Sequence, residues 1–186
     1  LAGEGEKVSK TFYEINPDCI AITVAEEDLK LIGEKIEHAS MPAEYQYYLL
    51  HLSKYGNLSI PSEEIIVSDE ISKKEKIPLF AVDINDDEYM EKFVEHISLF
   101  SLIRYSRKIK RMAKKKFRAR NAEEFVVMWE RELNSIKSFK KFEEERENRI
   151  VEKILNLCNK YNKLLVIVPF EKYENISKKL ERYKKH

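Results

Sequence analysis

Glycine is scarce in this chain, with four in 186 residues, and that scarcity excludes a great deal. A loop that cradles phosphate through bare backbone needs several glycines in a short stretch. Only Gly3 and Gly5, in LAGEGEK, stand close together. That pair is an incomplete GxG with no third glycine, so no dinucleotide fingerprint is present. Cysteine is scarcer still: Cys19 and Cys158 lie far apart, each in an apolar stretch, without a CxxC or a Cys/His cluster. A thiolate metal cage is therefore excluded, and two buried thiols in a reducing cytoplasm are expected. The histidines His38, His51, His96 and His186 show no HExxH spacing, and no GxSxG elbow is present. Long apolar runs are missing too; the stretch from Leu164 to Phe170 is far shorter than a bilayer requires. No basic segment leads into a hydrophobic one at the start, as a secretory signal would require. The chain opens at Leu1 rather than at methionine, which leaves room for a preceding segment.

Charge, by contrast, is abundant and nearly balanced. Charged residues make up 36% of the chain, yet the formal net charge is +1. The whole molecule thus has no field that selects nucleic acid or an anionic membrane, and any electrostatic function must reside in local patches. Lys and Glu dominate and Gln46 is the sole glutamine, a profile common in proteins from hot environments.

The apolar pattern predicts strands alternating with helices. Asp18 to Val24 (DCIAITV), entered through Asn16-Pro17, reads as a buried strand; Ile77 to Ile84 (IPLFAVDI) and Leu164 to Val168 read as two more. A strand over Leu1-Ala2-Gly3 is a further candidate. Helices are expected over Glu26 to His38, from Pro42 to Tyr55, over Ser62 to Lys74, and from Glu88 to about Arg118 as one long element. The inner side of that long helix would carry Phe93, Ile97, Phe100, Leu102, Tyr105, Ile109 and Met112. Asn121 with Glu124 makes a capping box for a helix starting at Ala122. Helices over Phe139 to Tyr161 and Tyr173 to Tyr183 complete the pattern. The implied fold class is α/β, with a small, mainly parallel sheet flanked by many amphipathic helices in one domain spanning residues 1-186.

The strongest local signal is basic. Arg104, Arg107, Lys108, Lys110, Arg111, Lys114, Lys115, Lys116, Arg118 and Arg120 occur with no acidic residue among them. On one helix, Arg104, Lys108, Arg111, Lys115 and Arg118 would share a stripe able to neutralise phosphates of a nucleic acid or an anionic lipid. The competing reading is a solvated face neutralised by acidic neighbours, which Glu143 to Glu147 (EEERE) could supply. Asp83 ends a predicted strand, where parallel sheets place their ligand sites; capping of the Asn85-Asp87 turn is its plainer explanation.

Several segments, taken in order, carry a family resemblance. They are Leu1-Ala2-Gly3-Glu4-Gly5-Glu6, then Pro17-Asp18-Cys19-Ile20-Ala21-Ile22-Thr23-Val24, then Ile77-Pro78-Leu79-Phe80-Ala81-Val82-Asp83. Glu145-Arg146-Glu147-Asn148-Arg149-Ile150 and the run Val166 to Ile176 follow. The order resembles that of the TraB/GumN-like family, which includes the Tiki metalloproteases and is related in fold to the erythromycin esterases. The resemblance implies that metal-binding or water-activating groups would stand at Glu6, Thr23 and Lys172, where the family has histidine, glutamate and histidine. A protonated lysine offers no lone pair and threonine cannot replace a carboxylate base. A degenerate, non-catalytic member with no cofactor is therefore expected. It would bind an unknown protein or polyanion, nucleic acid included, through the basic helix, and could form a homo-oligomer. The enzyme alternative is a metal-dependent hydrolase, protease or esterase, with a rebuilt site. It would draw on Asp83, Glu145 and Arg146, with Glu4 and Glu6 as fallback ligands for Mn, Co or Zn. The remaining alternative is a helical interaction module unrelated to this family.

Overall fold

A three-stranded, all-parallel sheet of order β2-β1-β3 organises the computed structural model, which describes residues 2–32 and 41–183. The strands are β1 (Cys19–Ile22), β2 (Leu79–Ala81) and β3 (Leu164–Ile167). Ile20 pairs with Leu79 on one side and with Leu165 on the other. Because β1 is central and covered on both faces, all four of its residues are buried, which is why CIAI is an unbroken apolar run rather than an alternating one. Asp18 fixes the register. Its carboxylate accepts from the backbone N–H groups of Asn162 and Lys163 at 2.9 and 2.8 Å, at the entrance to β3.

Helices close both faces. On one side α1 (Glu4–Ile15) and α4 (Glu63–Glu75) bring Phe12 and Ile71 onto Ile20 and Leu165. On the other, α8 (Lys137–Cys158) and α9 (Phe170–Tyr183) bring Ile150, Ile154 and Ile176 onto Ala21 and Val82. Burying a side chain of this size stabilises the fold by roughly 1.5–3 kcal/mol. The GxG pair belongs to this packing. Gly3 caps α1 at φ 90, and a Cβ on Gly5 would stand 2.6 Å from Val67 Cγ2, so Gly5 lets α1 approach α4.

The remaining helices are α2 (Glu26–Lys30), α3 (Ala43–Leu52), α5 (Asp86–His96), α6 (Leu99–Ala113) and α7 (Ala122–Leu133). Two satellite cores join them to the sheet layers. Aromatic residues from α3, α7 and the segment after α6, chiefly Tyr48, Phe117, Phe125 and Trp129, form one. Ile84, Phe93, Ile97, Phe139 and Phe142 form the other. His51 is a packing residue in the first, stacked on Phe125 at 5.9 Å. No described helix is long and apolar enough to cross a membrane.

Several expectations need correction. Residues 4–15 are helical and Gly3 is a cap, so the described part of Leu1-Ala2-Gly3 is not a strand. The long helix expected from Glu88 to Arg118 is broken, because Ser98 caps a new helix through its Oγ, which accepts from Ser101 N–H at 3.3 Å. The break resets the helical phase, and Phe100, expected inside, is 81% exposed; Leu102 is exposed as well. The second helix stops at Ala113. Beyond it Phe117 turns inward onto Phe125 and Trp129, while cations at i and i+4 such as Arg111 and Lys115 repel within a helix. Cys19 is buried, and burial pushes its thiol up to about 11, but Cys158 is exposed. The Asn121 cap forms, accepting from Glu124 N–H at 2.9 Å. The Glu124 carboxylate, however, takes the Arg120 backbone N–H instead of closing the box. Leu1, His38, His186 and the later half of the helix expected over 26–38 lie outside the described residues.

Candidate functional site

Two groups of charged side chains stand out, and the fold treats them oppositely. The first lies at the carboxyl edge of the sheet. Asp83 follows β2 and is 3% exposed. Its carboxylate accepts two bonds from Arg146 of α8, from Nε at 2.8 Å and from Nη2 at 2.6 Å, the paired geometry that guanidinium suits best. One turn earlier on α8, Glu143 takes the Arg146 Nη1 at 3.3 Å and also the ammonium of Lys172, from the first turn of α9. Glu130 of α7 stands 3.7 Å from the same ammonium. Side chains from three helices and a strand end thus meet in one buried network.

Pairing keeps the centre of the network charged, while burial pushes the acids at its margin upward. Burial works against the charge of Arg146, yet Asp83 and Glu143 keep its pKa above the ordinary value. Burial likewise opposes Lys172 and Glu143, but each holds the other ionised. At the margin burial wins. It raises Glu130 to about 7 despite Lys172, raises Glu44 to about 7 with help from the charge of Glu143, and raises Glu171. Burial shifts these carboxyls upward because the surroundings disfavour a further anion.

Glu6, Thr23 and Lys172 do not converge. Glu6 is exposed on α1, on the opposite face of the sheet from α9. Thr23, just past β1, donates its hydroxyl to the Ile167 carbonyl at 2.9 Å, which ties the ends of β1 and β3 together. Of the set Asp83, Glu145 and Arg146, the structure joins the first and last only. Glu145 precedes Arg146 by one residue, about 100° around the helix, and faces His96 and Lys92. Glu4 pairs with Lys7 at 2.8 Å. Among the described residues the one group of three or more side chains with metal-ligand spacing is Glu95, His96 and Glu145, so Glu4 and Glu6 do not form one.

The second charged group is the basic run. Arg104, Arg107, Lys110, Arg111, Lys114, Lys116 and Arg118 are exposed, and none forms an ion pair among the described residues. Lys108 and Lys115 differ: both bind the carboxylate of Glu132 on α7. Arg120 pairs with Glu124 at 3.1 Å, so the neutralising acids are Glu132 and Glu124, not the run from Glu143 to Glu147. Because α6 ends at Ala113, the stripe expected through Lys115 and Arg118 is not one helical face; the later cations lie on the connection to α7.

The helix-rich parallel α/β fold defines the class of this protein. Comparison with family models, curated proteins and solved structures gives no match for the chain.

The buried network was only partly visible in the sequence. Glu143 and Glu147 fall on the same i, i+4 stripe of α8 as Ile150 and Ile154, and Lys172 precedes Ile176 by one turn on α9. Charges on an apolar stripe are the signal that marks buried ion pairs.

Proposed function

We propose that this chain is a non-catalytic, TraB-like α/β domain that works in the cytoplasm by binding a polyanion through the basic run of α6 and its outgoing connection. The observation that carries this reading is the row of exposed cations that have no carboxylate partner among the described residues, Arg104, Arg107, Lys110, Arg111, Lys114, Lys116 and Arg118. Unpaired guanidinium and ammonium groups in one tract gain most from a phosphate backbone, since each phosphate they neutralise releases a condensed counterion. The acid-rich remainder of the surface keeps the net charge near zero, so contact is confined to this tract. Support for the absence of catalysis is chemical. Lys172 is occupied by Glu143, Thr23 by a backbone carbonyl, and Asp83 by both arms of Arg146, so these three offer neither a free base nor an open metal ligand, and the exposed Glu6 carboxylate stands apart from them on α1.

The test is retention of the purified chain on immobilised duplex DNA in moderate salt. Substituting Arg107, Arg111 and Lys114 together by Glu should abolish retention, and undiminished retention ends the proposal. These positions are better probes than Lys108 and Lys115, whose replacement also removes contacts to Glu132. A second reading, an anionic lipid surface, is favoured by Leu99 and Phe100, which are 72% and 81% exposed beside the cations. A helix with both features lies at a membrane interface. Vesicles with anionic headgroups distinguish the two: binding to them that Leu99→Ser and Phe100→Ser remove, with DNA retention unaltered, assigns the apolar tip to lipid.

A further inference from the structure

On the outer side of α8, away from both charged groups, three side chains with metal-ligand chemistry converge. His96 and Glu95 close α5, and Glu145 reaches them from α8. Their ligand atoms all lie within 4.8 Å of one another. His96 Nε2 stands 2.8 Å from one Glu145 oxygen and 3.9 Å from one of Glu95. Ligands bound at about 2.0–2.1 Å around a tetrahedral ion stand about 3.3 Å apart, and the two observed separations bracket that value. The imidazole is 5% exposed, and its Nε2, at ion-pair distance from Glu145, finds no aligned hydrogen-bond partner among the described residues. Although it points at Glu145, it lacks the alignment of a donated bond. A buried ring nitrogen left in this state costs free energy, and a metal ion between it and the carboxylates would remove that cost.

We propose that Glu95, His96 and Glu145 form a site for a divalent transition-metal ion, Zn²⁺ in the first instance. One imidazole with two carboxylates is a borderline donor set, better suited to zinc than to Mg²⁺ or Ca²⁺, which prefer oxygen alone. Glu95 is 54% exposed and Glu145 is 31% exposed, so the fourth position opens to water. Lys92 stands over the same carboxylates, with Nζ 3.1 Å from Glu95 and 3.8 Å from Glu145. Its ammonium occupies part of the charge an ion would take, and zinc entry displaces it towards solvent. The site shares no residue with the basic run, so its fate is independent of polyanion binding.

The test titrates the full chain with Zn²⁺ against a fluorescent chelator at neutral pH, with metal content measured after dialysis. The wild type should retain about one ion per chain. His96→Ala and Glu145→Gln should each weaken binding more than about tenfold, His186→Ala should leave it unchanged, and Lys92→Ala should tighten it several-fold by removing the competing cation. Circular dichroism checks that the variants fold. Should His96→Ala fail to fold, imidazole nitrogen NMR of the wild type replaces it, with zinc expected to shift His96 Nε2. No retained zinc, wild-type affinity in folded His96→Ala, or a shift confined to His51 or His186 overturns the proposal.

Discussion

Arginine and lysine are used in two incompatible ways within this chain. At the carboxyl edge of the sheet, Arg146 and Lys172 are enclosed and matched to Asp83 and Glu143. Along α6 and the segment after it, Arg107, Arg111 and Lys114 are exposed and form no ion pair among the described residues. The first arrangement satisfies each charge within the fold, which leaves little for a ligand to gain. The second leaves charges without a carboxylate partner among the described residues, so a polyanion gains there. Local sequence already separates the two places, since Arg146 lies within EEERE whereas the basic run holds no acidic residue; the fold then adds Asp83 to the first and Glu132 to only Lys108 and Lys115 of the second.

The largest effect expected from breaking this contrast is in the buried network. Asp83→Ala removes the two bonds to Arg146 Nε and Nη2 and leaves Glu143 as the guanidinium's partner, so the cost should approach but not exceed the about 3–5 kcal/mol of breaking a buried pair. The urea midpoint should fall accordingly, while DNA retention of the still-folded protein at low temperature should not change. Next comes Glu130→Gln. The Glu130 carboxyl, lifted by burial to about 7 from 4.5, binds its proton more tightly folded than unfolded. Its contribution is therefore full below about pH 4.5 and is lost as pH rises through about 7. The variant, which cannot ionise, should match the wild type at pH 4 and exceed it at pH 8 by on the order of 2 kcal/mol. Thermal unfolding across that range checks the sign.

Much of the fold was legible because its cause is local. The unbroken apolar run of β1, the Asn121 cap and the strand–helix alternation each follow from neighbouring residues, and the parallel sheet follows from the alternation. Ser98 was also readable as a cap, yet the continuous amphipathic pattern from Glu88 masked it, and with it the outward turn of Phe100. The site was less legible. Asp83, Glu145 and Arg146 are expected together as a rebuilt hydrolytic site. That Asp83 and Arg146 pair with each other while Glu145 turns away was not readable, because the pairing spans 63 positions and no spacing rule connects residues that far apart. Glu132 lies on a different helix from the cations it neutralises, so the division of the basic run into paired and open members required the fold.

Smaller effects sharpen the other side of the comparison. Replacing Arg107, Arg111 and Lys114 by Glu should change stability by less than about 0.5 kcal/mol at each site, as exposed substitutions do, despite the loss of DNA retention. Glu132→Gln should do the reverse at modest scale. Without that carboxylate Lys108 and Lys115 join the open set, and elution from immobilised DNA should move to somewhat higher salt.

The most direct measurement is the salt dependence of binding to a short duplex, followed by fluorescence anisotropy. If the open cations engage phosphates, log Kobs should fall linearly with log salt concentration, with a slope of about −0.9 for each phosphate neutralised. The slope should flatten by roughly that amount for each open cation removed. A slope near zero, or one that the Arg107, Arg111 and Lys114 substitutions leave unaltered, would contradict a polyanion-binding role for this tract.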